Sequence, residues 1–514
     1  MYRKIIYPLF FTIFLIGCST TKHRISQSAD TVQWTILQFN DFYEIGGLDG
    51  GTIGGAARMA TLRKKLKTEN PNLLTVVAGD FLSPSLLGTL KKDGEGVKGR
   101  QIIEAFNAIG VDLVTFGNHE FDYDQKTLQK RINESRFDWV STNVLENKEG
   151  VLAPFAKEKD GQKIPIPLHH IVRFTNNTGA AVRLGFVAPC IDANKAKFVF
   201  YDSLYPTVKR ELTKLKNEAD VFLSLSHLNK SADLQMARDF SQLSLIMGGH
   251  EHDHMKYEVG HTVLTKADAN ARTAYVHRMT YNVKTHRLLL RSELVALDKT
   301  IAEDGQLLQL IKSWKEFENQ YLKNAGFDPD QKIPGSEVNY DARELTIRNK
   351  PAAFPEMICK SMLAQCPQCD AAIMNSGSIR LDDELHGYIS QYDILRSLPY
   401  AGSIISLDMK GDLLEKTLNV GIGNKGMGGF LQWANIRQAD DGTWIIGSAP
   451  LNKDKIYHII LNEYLLTGLE RNLDFLNKNN PGISNIITAE NPAAGPLRKD
   501  IRLAIIDYLQ KGGR

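Results

Sequence analysis

The sequence LVTFGNHEFD occupies residues 113–122 and joins an apolar run to a polar cluster. Residues 113–116 have the length and composition of a buried strand. Gly117, Asn118 and His119 follow directly at its carboxyl end. Because α/β sheets usually bind ligands at the carboxyl ends of their strands, this stretch predicts a functional site at a sheet edge.

Four other apolar runs end in the same way. They are residues 34–39 before Asn40 and Asp41, 73–78 before Gly79 and Asp80, 221–225 before His227, and 243–247 before Gly248, Gly249 and His250. Helix-favouring segments at residues 57–66 and 208–219 lie between some of these runs. The alternation predicts an α/β fold of layered sheets with its site at the strand ends.

The length of 514 residues exceeds what one hydrophobic core usually organises, so two or more domains are expected. A charged, helix-favouring stretch at residues 304–324 is followed by Pro334 and Gly335. We therefore predict a first α/β domain at residues 32–300, a helical linker at 301–335 and a second α/β domain at 336–514.

The N-terminus has the features of an export signal. Arg3 and Lys4 precede an apolar run, residues 5–16, that is too short to span a bilayer comfortably. The run ends in LIGC, residues 15–18, which resembles the bacterial lipobox; the alternative is a hydrophobic anchor with an incidental Cys18. We predict a lipoprotein signal peptide at 1–17, a lipid on Cys18 and a tether at 18–31. By resemblance to the sorting rule, Ser19 favours the outer membrane, so the protein is expected at its periplasmic face or at the cell surface.

Charge and cysteine content narrow the function. The formal net charge of +3 falls to about +1 once Arg3 and Lys4 are removed, which gives no case for binding nucleic acid. Cys366 and Cys369 form a CxxC pair, which alone cannot make a four-ligand zinc site. A local disulfide or a reduced, inert pair are the two interpretations.

The polar residues at the strand ends suit a metal centre. They are Asp41, Asp80, Asn118, His227, His250 and His252. Carboxylate, amide and imidazole together bind borderline divalent ions such as Zn, Mn or Co, and Asp80 could bridge two of them. Singly, His227 could equally be a hydrogen-bonded core histidine. The order of all six after predicted strands is what favours metal binding.

These motifs resemble a known family. GD at 79–80, GNHE at 117–120 and GGHEH at 248–252 are similar to signatures of the calcineurin-like metallophosphoesterases. With ND at 40–41 and SHL at 226–228, the chain resembles their 5′-nucleotidase branch. The resemblance implies a metallophosphoesterase domain, a C-terminal substrate-binding domain and two divalent ions. It assigns Asp41, Asp80 and His252 to one ion, and Asp80, Asn118, His227 and His250 to the other.

The resemblance also implies a catalytic pair. His119 matches the histidine that steadies phosphoryl oxygens or protonates the leaving group, and Asp122 matches the carboxylate that orients it. A neighbouring carboxylate raises the pKa of a histidine and keeps its proton available for donation.

One position departs from the family. The usual Asp-x-His is here Asp41-Phe42-Tyr43. A neutral phenol is a poor metal ligand, so we expect weaker or different metal occupancy at Asp41. Glu44 could substitute, although strand alternation would point it to the opposite face.

The second domain resembles the part of the family's proteins that binds the nucleotide. NSGSIR at 375–380 is similar to NGGGIR, and LPY at 398–400 to LPF. The resemblance implies substrate contacts from Arg348, Asn375, Arg380 and Tyr400. Arginine donates two hydrogen bonds to one phosphate, and an aromatic ring can stack on a base. The family's GGDGF segment is replaced by GLERNLDF at 468–475, which leaves Phe475 as a weak candidate for a second ring, whereas Phe430 is expected in the core or as a loop anchor.

The function expected from the resemblance is metal-dependent hydrolysis of phosphate esters of nucleotides outside the cytoplasm, with nucleotide-sugars or cyclic nucleotides as further substrates. One alternative is a general phosphomonoesterase or diesterase without base preference. The other is a lipoprotein that binds nucleotide and has lost turnover, which the retention of both His119 and Asp122 disfavours.

Overall fold

The computed structural model describes residues 29–513, apart from residues 195 and 382. The predicted signal peptide, Cys18 and most of the predicted tether therefore lie outside the described residues. Within the described residues, no helix is long and apolar enough to cross a membrane.

The α-helices of the described chain follow in chain order. They are α1 (Ala56–Glu69), α2 (Leu86–Thr89), α3 (Arg100–Ile109), α4 (Gln125–Glu134), α5 (Leu204–Leu215), α6 (Lys230–Asp239), α7 (Gly305–Asn324), α8 (Glu344–Ile347), α9 (Ala353–Ala364), α10 (Gln391–Ser397), α11 (Gly411–Gly423) and α12 (Ile501–Gln510).

The strands of the first domain precede α7. They are β1 (Thr31–Phe39), β2 (Leu73–Val77), β3 (Lys91–Lys92), β4 (Glu95–Gly96), β5 (Leu113–Thr115), β6 (Asp138–Val140), β7 (Val144–Lys148), β8 (Val151–Ala153), β9 (Ala156–Lys159), β10 (Gln162–Pro165), β11 (His169–Thr175), β12 (Ala181–Val187), β13 (Val199–Tyr201), β14 (Val221–Ser226), β15 (Leu243–Gly248), β16 (Met255–Val259), β17 (Thr262–Lys266), β18 (Thr273–Asn282) and β19 (Arg287–Ala296).

The strands of the second domain follow α7. They are β20 (Lys332–Asp341), β21 (Ala371–Asn375), β22 (Glu384–Ser390), β23 (Ile404–Lys410), β24 (Leu431–Ala434), β25 (Ile436–Gln438), β26 (Trp444–Ile446), β27 (Ala449–Pro450), β28 (Ile456–Asn462) and β29 (Ile483–Ile487).

Two six-stranded sheets pack face to face in the first domain. Their strand orders are β19-β18-β1-β2-β5-β6 and β11-β12-β14-β15-β17-β16. Buried side chains from both sheets, such as Trp34, Val76, Phe186 and Leu223, share one apolar core. Helices α1 and α3 cover the outer face of the first sheet, and α5 and α6 that of the second. These layers confirm the α/β fold class predicted from the strand pattern.

The central strands are parallel within each sheet. In the first sheet β1, β2 and β5 run side by side, and in the second β12, β14, β15 and β17 do so. Parallel strands deliver their carboxyl ends to one edge. The loops after β1, β2, β5, β14 and β15 therefore meet at the same end of the two sheets.

Helix α7 leads into the second domain, whose main sheet has the order β24-β21-β28-β23-β29. Leu322 near the end of α7 is buried in a core that also contains Phe354 and Ile505 of the second domain. Strand β20 begins at Lys332, inside the segment predicted as linker, and pairs with β22.

A partly buried cluster of charged and aromatic side chains joins the domains. The Lys315 ammonium on α7 lies 2.9 Å from Glu318 Oε2 and 3.9 Å from the ring centre of Tyr392. The Tyr392 hydroxyl lies 3.4 Å from Oε2 of Glu44, in the loop after β1. The second domain thus contacts the same loop that carries Asp41.

Cys366 and Cys369 form a disulfide directly after α9. The bond selects the first of the two interpretations of the CxxC pair. Cys190 and Cys359 are buried and unpaired thiols.

Candidate metal centre

The strand-end loops bring the six predicted metal ligands together. Ligand atoms of Asp80, His227 and His250 all lie within 4.8 Å of one another. His252 Nε2 lies 3.3 Å from Asp41 Oδ1. The side chain of Asn118 is buried beside them at the end of β5. Asp80 stands between the two groups, as a bridging ligand would.

The backbone at this centre is strained. Four non-glycine residues of the cluster have positive φ: Asp41 (50°), Asp80 (53°), His250 (92°) and His252 (63°). Side chains with a Cβ seldom adopt this region, and such outliers gather at functional sites. The strain turns each side chain back toward the centre immediately after its strand.

Glycine is required where the loops touch. A Cβ on Gly117 would collide with Oδ1 of Asp80. A Cβ on Gly249 would lie 2.9 Å from both Asp41 Oδ2 and His227 Nδ1. The glycines of the GNHE and GGHEH motifs therefore let ligand side chains pack directly on neighbouring backbone.

Glu120 ties two ligand loops together. Its side chain is fully buried, and its carboxylate accepts four main-chain N–H groups. The donors are Asp80 (2.9 Å) and Gly117 (2.5 Å) to Oε2, and Phe81 (2.8 Å) and Leu82 (3.1 Å) to Oε1. Because hydrogen bonds to a charged group are strong, Glu120 holds the loop of Asp80 against the loop of Asn118.

Lys266 ties the loop of His227 to the loop of His250. Only 1% of this side chain is exposed, at the end of β17. Its ammonium contacts the carbonyl oxygens of Leu228 (2.6 Å) and Gly249 (2.8 Å) and the carboxylates of Asp233 (2.8 Å) and Glu251 (2.5 Å). Those carbonyls adjoin His227 and His250, so one buried cation fixes both loops.

Hydrogen bonds leave one oxygen of each aspartate turned to the centre. Asp41 Oδ2 accepts from the Asn40 amide at 2.7 Å and from the His250 N–H at 2.9 Å. Asp80 Oδ1 accepts from the His119 N–H at 2.7 Å. Although burial alone would raise the pKa of Asp41 and of Asp80, the neighbouring histidines lower both. Both carboxylates are therefore ionised, as metal ligands must be.

The ring of His227 shows that the centre needs a cation. Its Nδ1 donates to the Ala78 carbonyl at 2.7 Å, so in the neutral ring the lone pair of Nε2 faces Asp80 Oδ2 at 3.0 Å. Two acceptors at that distance repel unless a positive charge lies between them. Burial lowers the pKa of His227, but Asp80 and Asp41 outweigh it and raise the pKa to about 9. A metal ion supplies the same positive charge without the proton.

Two further ligands agree with metal binding. Asn118 Oδ1 is buried and has no hydrogen-bond partner among the described residues. Burial, followed by the charge of His227, lowers the pKa of His250 to about 3. His250 is therefore neutral and keeps a lone pair for an ion. The donors present thus fit a divalent metal such as Zn, Mn or Co.

Tyr43 lies inside the centre, whereas Glu44 does not. The Tyr43 hydroxyl is 3.1 Å from His252 Nε2, 3.4 Å from Asp41 Oδ1 and 3.5 Å from Asp80 Oδ2. Glu44 instead joins the cluster of Lys315 and Tyr392 at the domain junction. The substitution of Glu44 for the missing ligand, considered from the sequence, is therefore excluded.

His119 and Asp122 form a hydrogen-bonded pair beside the centre. Nδ1 of His119 donates to Asp122 Oδ2 at 2.8 Å. Ser83 donates to the same oxygen at 3.0 Å, and Asn194 donates to Oδ1 at 2.8 Å. Burial lowers the pKa of His119, but the charges of Asp122 and Asp80 raise it to about 9. In the metal-free protein His119 is therefore protonated at neutral pH, with a proton to donate.

The second domain reaches this pair. The Tyr400 hydroxyl lies 3.1 Å from Ser83 Oγ, and 49% of the Tyr400 residue is exposed. The Arg380 guanidinium lies 5.8 Å from the Tyr400 ring centre. Burial raises the pKa of Asp122, but His119 and, to a lesser degree, Arg380 lower it. Arg380 Nε is buried and makes no hydrogen bond to a described residue. The Arg380 guanidinium and the Tyr400 ring thus lie beside the His119–Asp122 pair.

The other two predicted substrate contacts, Arg348 and Asn375, have partners within the second domain. Arg348 forms an ion pair with Glu344. Burial lowers the pKa of Arg380, but the charge of Glu344 raises it. The Asn375 amide nitrogen donates to Glu470 at 2.7 Å, and its oxygen accepts from Ser378 and Asn462. Asn375 is therefore engaged with protein partners.

The two aromatic residues discussed from the sequence serve packing. Phe475 packs on the core of the second domain, and the Lys416 ammonium lies 4.0 Å from its ring centre. Phe430 is 2% exposed, in agreement with its expected place in the core.

Sequence reasoning assigned no role to Glu120, Lys266 or Glu470. Glu120 is the last residue of the GNHE motif, so the motif itself offered a signal. A lysine ending the apolar segment 262–266 is a second available signal, because charged residues are seldom buried without a partner. Nothing in the local sequence marks Glu470 as a partner of Asn375.

In the metal-free protein, we expect the His119 ring to titrate near pH 9, so that its proton is held at neutral pH and lost as pH rises through that value. Asp122→Asn removes the leading cause of the raised pKa and should move the titration toward the ordinary value of 6.5. ¹H–¹³C NMR of the ring carbons measures both. An unchanged titration in the variant would contradict the role of Asp122.

Comparisons with known proteins agree with this geometry. The calcineurin-like phosphoesterase profile matches residues 35–254, and the 5′-nucleotidase C-terminal domain profile matches residues 332–477. The chain is 24% identical over 516 residues to the 5′-nucleotidase of Vibrio vulnificus, covering 88% of each protein. It is 23% identical over 489 residues to the trifunctional nucleotide phosphoesterase YfkN of Bacillus subtilis, covering 84% of this chain but only 32% of that protein.

The fold has a counterpart among solved structures. The 5′-nucleotidase precursor of Thermus thermophilus superimposes with a TM-score of 0.71 at 19% identity, covering 93% of this chain and 96% of that one. Together, the two profiles cover the first domain as far as residue 254 and most of the second domain. The chain therefore contains a calcineurin-like phosphoesterase domain followed by a 5′-nucleotidase C-terminal domain.

Proposed function

We propose that this protein is a metal-dependent phosphoric ester hydrolase that acts on nucleotides, as a 5′-nucleotidase. The observation that carries the proposal is the meeting of two kinds of group at one place. The protonated His119, paired with Asp122, lies beside the metal ligands, and Arg380 and Tyr400 of the second domain reach the same pair. A substrate that carries both a phosphate and an aromatic base could contact both groups, the His119 side with its phosphate and Tyr400 with its base. The curated relatives named above are 5′-nucleotidases and nucleotide phosphoesterases, which supports this substrate class.

Two divalent ions would be held by the strand-end ligands, one by Asp41, Asp80 and His252 and the other by Asp80, Asn118, His227 and His250. Bound ions of this kind neutralise phosphate charge and make hydroxide available from water at neutral pH. The protein's part is to hold these donors in place, which Glu120 and Lys266 do through the main chain.

His119 supplies the proton that hydrolysis requires. Cleavage of the phosphorus–oxygen bond leaves an alkoxide, which a protonated imidazole can neutralise as it departs. Asp122 keeps the imidazole charged and fixes its orientation through Nδ1. Ser83 and Asn194 in turn fix Asp122.

The second domain supplies substrate recognition. Arg380 is a fixed cation near His119 and can hold phosphate oxygens, because its guanidinium forms two parallel hydrogen bonds to one anion. The exposed ring of Tyr400 can stack on a base. Nucleotide-sugars carry the same base and phosphate and are accommodated by the same contacts.

Two variants separate chemistry from base recognition. His119→Ala should lower kcat by about 10²–10⁴-fold on every substrate while leaving metal content unchanged. Tyr400→Ala should lower kcat/KM for AMP by about tenfold, since base stacking is worth ~1–3 kcal/mol, and should leave glycerol phosphate unaffected. Phosphate release from AMP, UDP-glucose and glycerol phosphate, with and without added metal, measures these effects.

Tyr400→Phe is the matched control, because it keeps the ring and loses only the hydroxyl near Ser83. If Tyr400→Ala affected AMP and glycerol phosphate equally, the protein would be a phosphomonoesterase without base preference. If the wild type released phosphate from no ester with any metal, it would be a nucleotide binder without turnover.

We also propose that the protein is exported and anchored by a lipid on Cys18, at the periplasmic face of the outer membrane or at the cell surface. The lipobox-like LIGC at residues 15–18 supports this, as does the disulfide between Cys366 and Cys369, since disulfides persist in oxidising compartments. Radiolabelled palmitate should mark the wild type and not Cys18→Ser. An unlabelled wild type with a shortened N-terminus would contradict the anchor.

A further inference from the structure

The Tyr43 hydroxyl is surrounded by three predicted ligand atoms of one ion. Its distances to Asp41 Oδ1 and Asp80 Oδ2 are 3.4 and 3.5 Å, and 3.1 Å separates it from His252 Nε2. Hydroxyl–carboxylate hydrogen bonds normally span about 2.5–3.0 Å. Two of the three contacts are therefore longer than a phenol makes when it simply hydrogen-bonds to a carboxylate.

The same distances suit ligands that share one ion. Metal–oxygen and metal–nitrogen bonds of about 2.0–2.2 Å, arranged as a tetrahedron, place neighbouring donors roughly 3.3–3.6 Å apart. Nε2 of His252 lies 3.3 Å from Asp41 Oδ1, an edge of that length. The Tyr43 oxygen lies 3.1–3.5 Å from these two atoms and from Asp80 Oδ2, which is the spacing expected of donors to one ion.

The protein fixes the phenol in this position. The N–H groups of Tyr43 and Glu44 both donate to Asn270 Oδ1, at 2.8 and 3.1 Å. The Asn270 N–H in turn donates to the Asp41 carbonyl at 2.7 Å. Tyr43 is 8% exposed. The turn after β1 is thus locked, and the Tyr43 oxygen is held toward the centre.

Resting on the proposed metallophosphoesterase function, we propose that the Tyr43 oxygen is the fourth protein ligand of the ion held by Asp41, Asp80 and His252. On coordination the phenol would release its proton to solvent and bind as phenolate, just as a cysteine thiol binds as thiolate. That ion is bound by three oxygens and one nitrogen. The other, bound by Asp80, Asn118, His227 and His250, has two of each.

The difference in donors assigns different ions to the two positions. Oxygen donors suit harder ions, whereas imidazole suits zinc and cobalt. The Tyr43 position therefore prefers the harder and more highly charged ion of a pair, and the His227–His250 position the softer one. Tyr43 changes the kind of ion bound at Asp41 and does not simply weaken that position.

Spectroscopy of the metal-loaded protein tests the ligand directly. Metal-stripped protein is loaded with Zn(II) and then with Fe(III), and its visible absorption and resonance Raman spectra are recorded. A phenolate bound to Fe(III) gives a visible charge-transfer band, and excitation in that band enhances tyrosine ring vibrations. We expect both signals in the wild type and neither in Tyr43→Phe.

Tyr201→Phe is the matched control, because Tyr201 is a largely buried tyrosine of the same domain that lines a cavity of about 300 Å³ beside Cys190 and Leu228 and is outside the ligand set. It should keep the band. A wild type that binds iron without the band, or a Tyr43→Phe variant that keeps it, overturns the inference.

Calorimetric titration of Mn(II) is the second measurement and decides the case if Fe(III) does not load. Tyr43→Phe should weaken one of two binding phases by at least about tenfold, the scale on which even outer contacts of metal ligands act. Two unchanged phases overturn the inference. AMP hydrolysis by the wild type is scored separately, so that a wild type active on AMP but lacking the Tyr43 signals refutes the ligand and leaves the proposed function standing.

Discussion

The centre depends most on the hydrogen bonds that the carboxylate of Glu120 accepts from the main chain. The carboxylate is fully buried, and it accepts main-chain N–H groups from both the Asp80 loop and the Gly117 loop. Burial and the charge of Asp80 raise the pKa of Glu120 to about 7, and the N–H donors oppose that rise. Four donors aimed at one carboxylate leave little freedom to either loop. Asp80 and Asn118 can therefore face the same ion only in this arrangement.

Lys266 is the counterpart of opposite charge on the second sheet. It holds carbonyl oxygens next to His227 and His250, while Asp233 and Glu251 balance its charge. A buried charge that lost its partners would destabilise the fold. Glu120 and Lys266 therefore also require that the groups around them stay in place. The contacts of Glu120 and Lys266 brace the main chain at Asp80 and next to His250, two of the ligand residues with positive φ. Rigid loops of this kind would hold bound metal ions and His119 in fixed positions around one phosphate.

The sequence was sufficient for the fold class and for bringing the right side chains to one edge, because both follow from local patterns: an apolar run, then a polar cluster. The sequence did not predict the position of the Tyr43 hydroxyl. A phenol in place of histidine suggested a lost ligand, but the left-handed turn at Asp41 and the hydrogen bond from the Tyr43 N–H to Asn270 place the phenol oxygen in the centre. Glu120 and Lys266 escaped notice for a different reason. Their partners are mainly main-chain atoms of loops, which no side-chain pattern reveals.

We propose that one bridging carboxylate, Asp80, organises a centre of two ions. Metal analysis by inductively coupled plasma mass spectrometry after gel filtration in metal-buffered solution tests it most directly. The account predicts two ions per chain in the wild type and in Asp122→Asn, whose side chain pairs with His119 outside the ligand set. It predicts that Asp80→Asn loses both ions, because both share this ligand. Two ions retained by Asp80→Asn, or none bound by the wild type, would contradict the account.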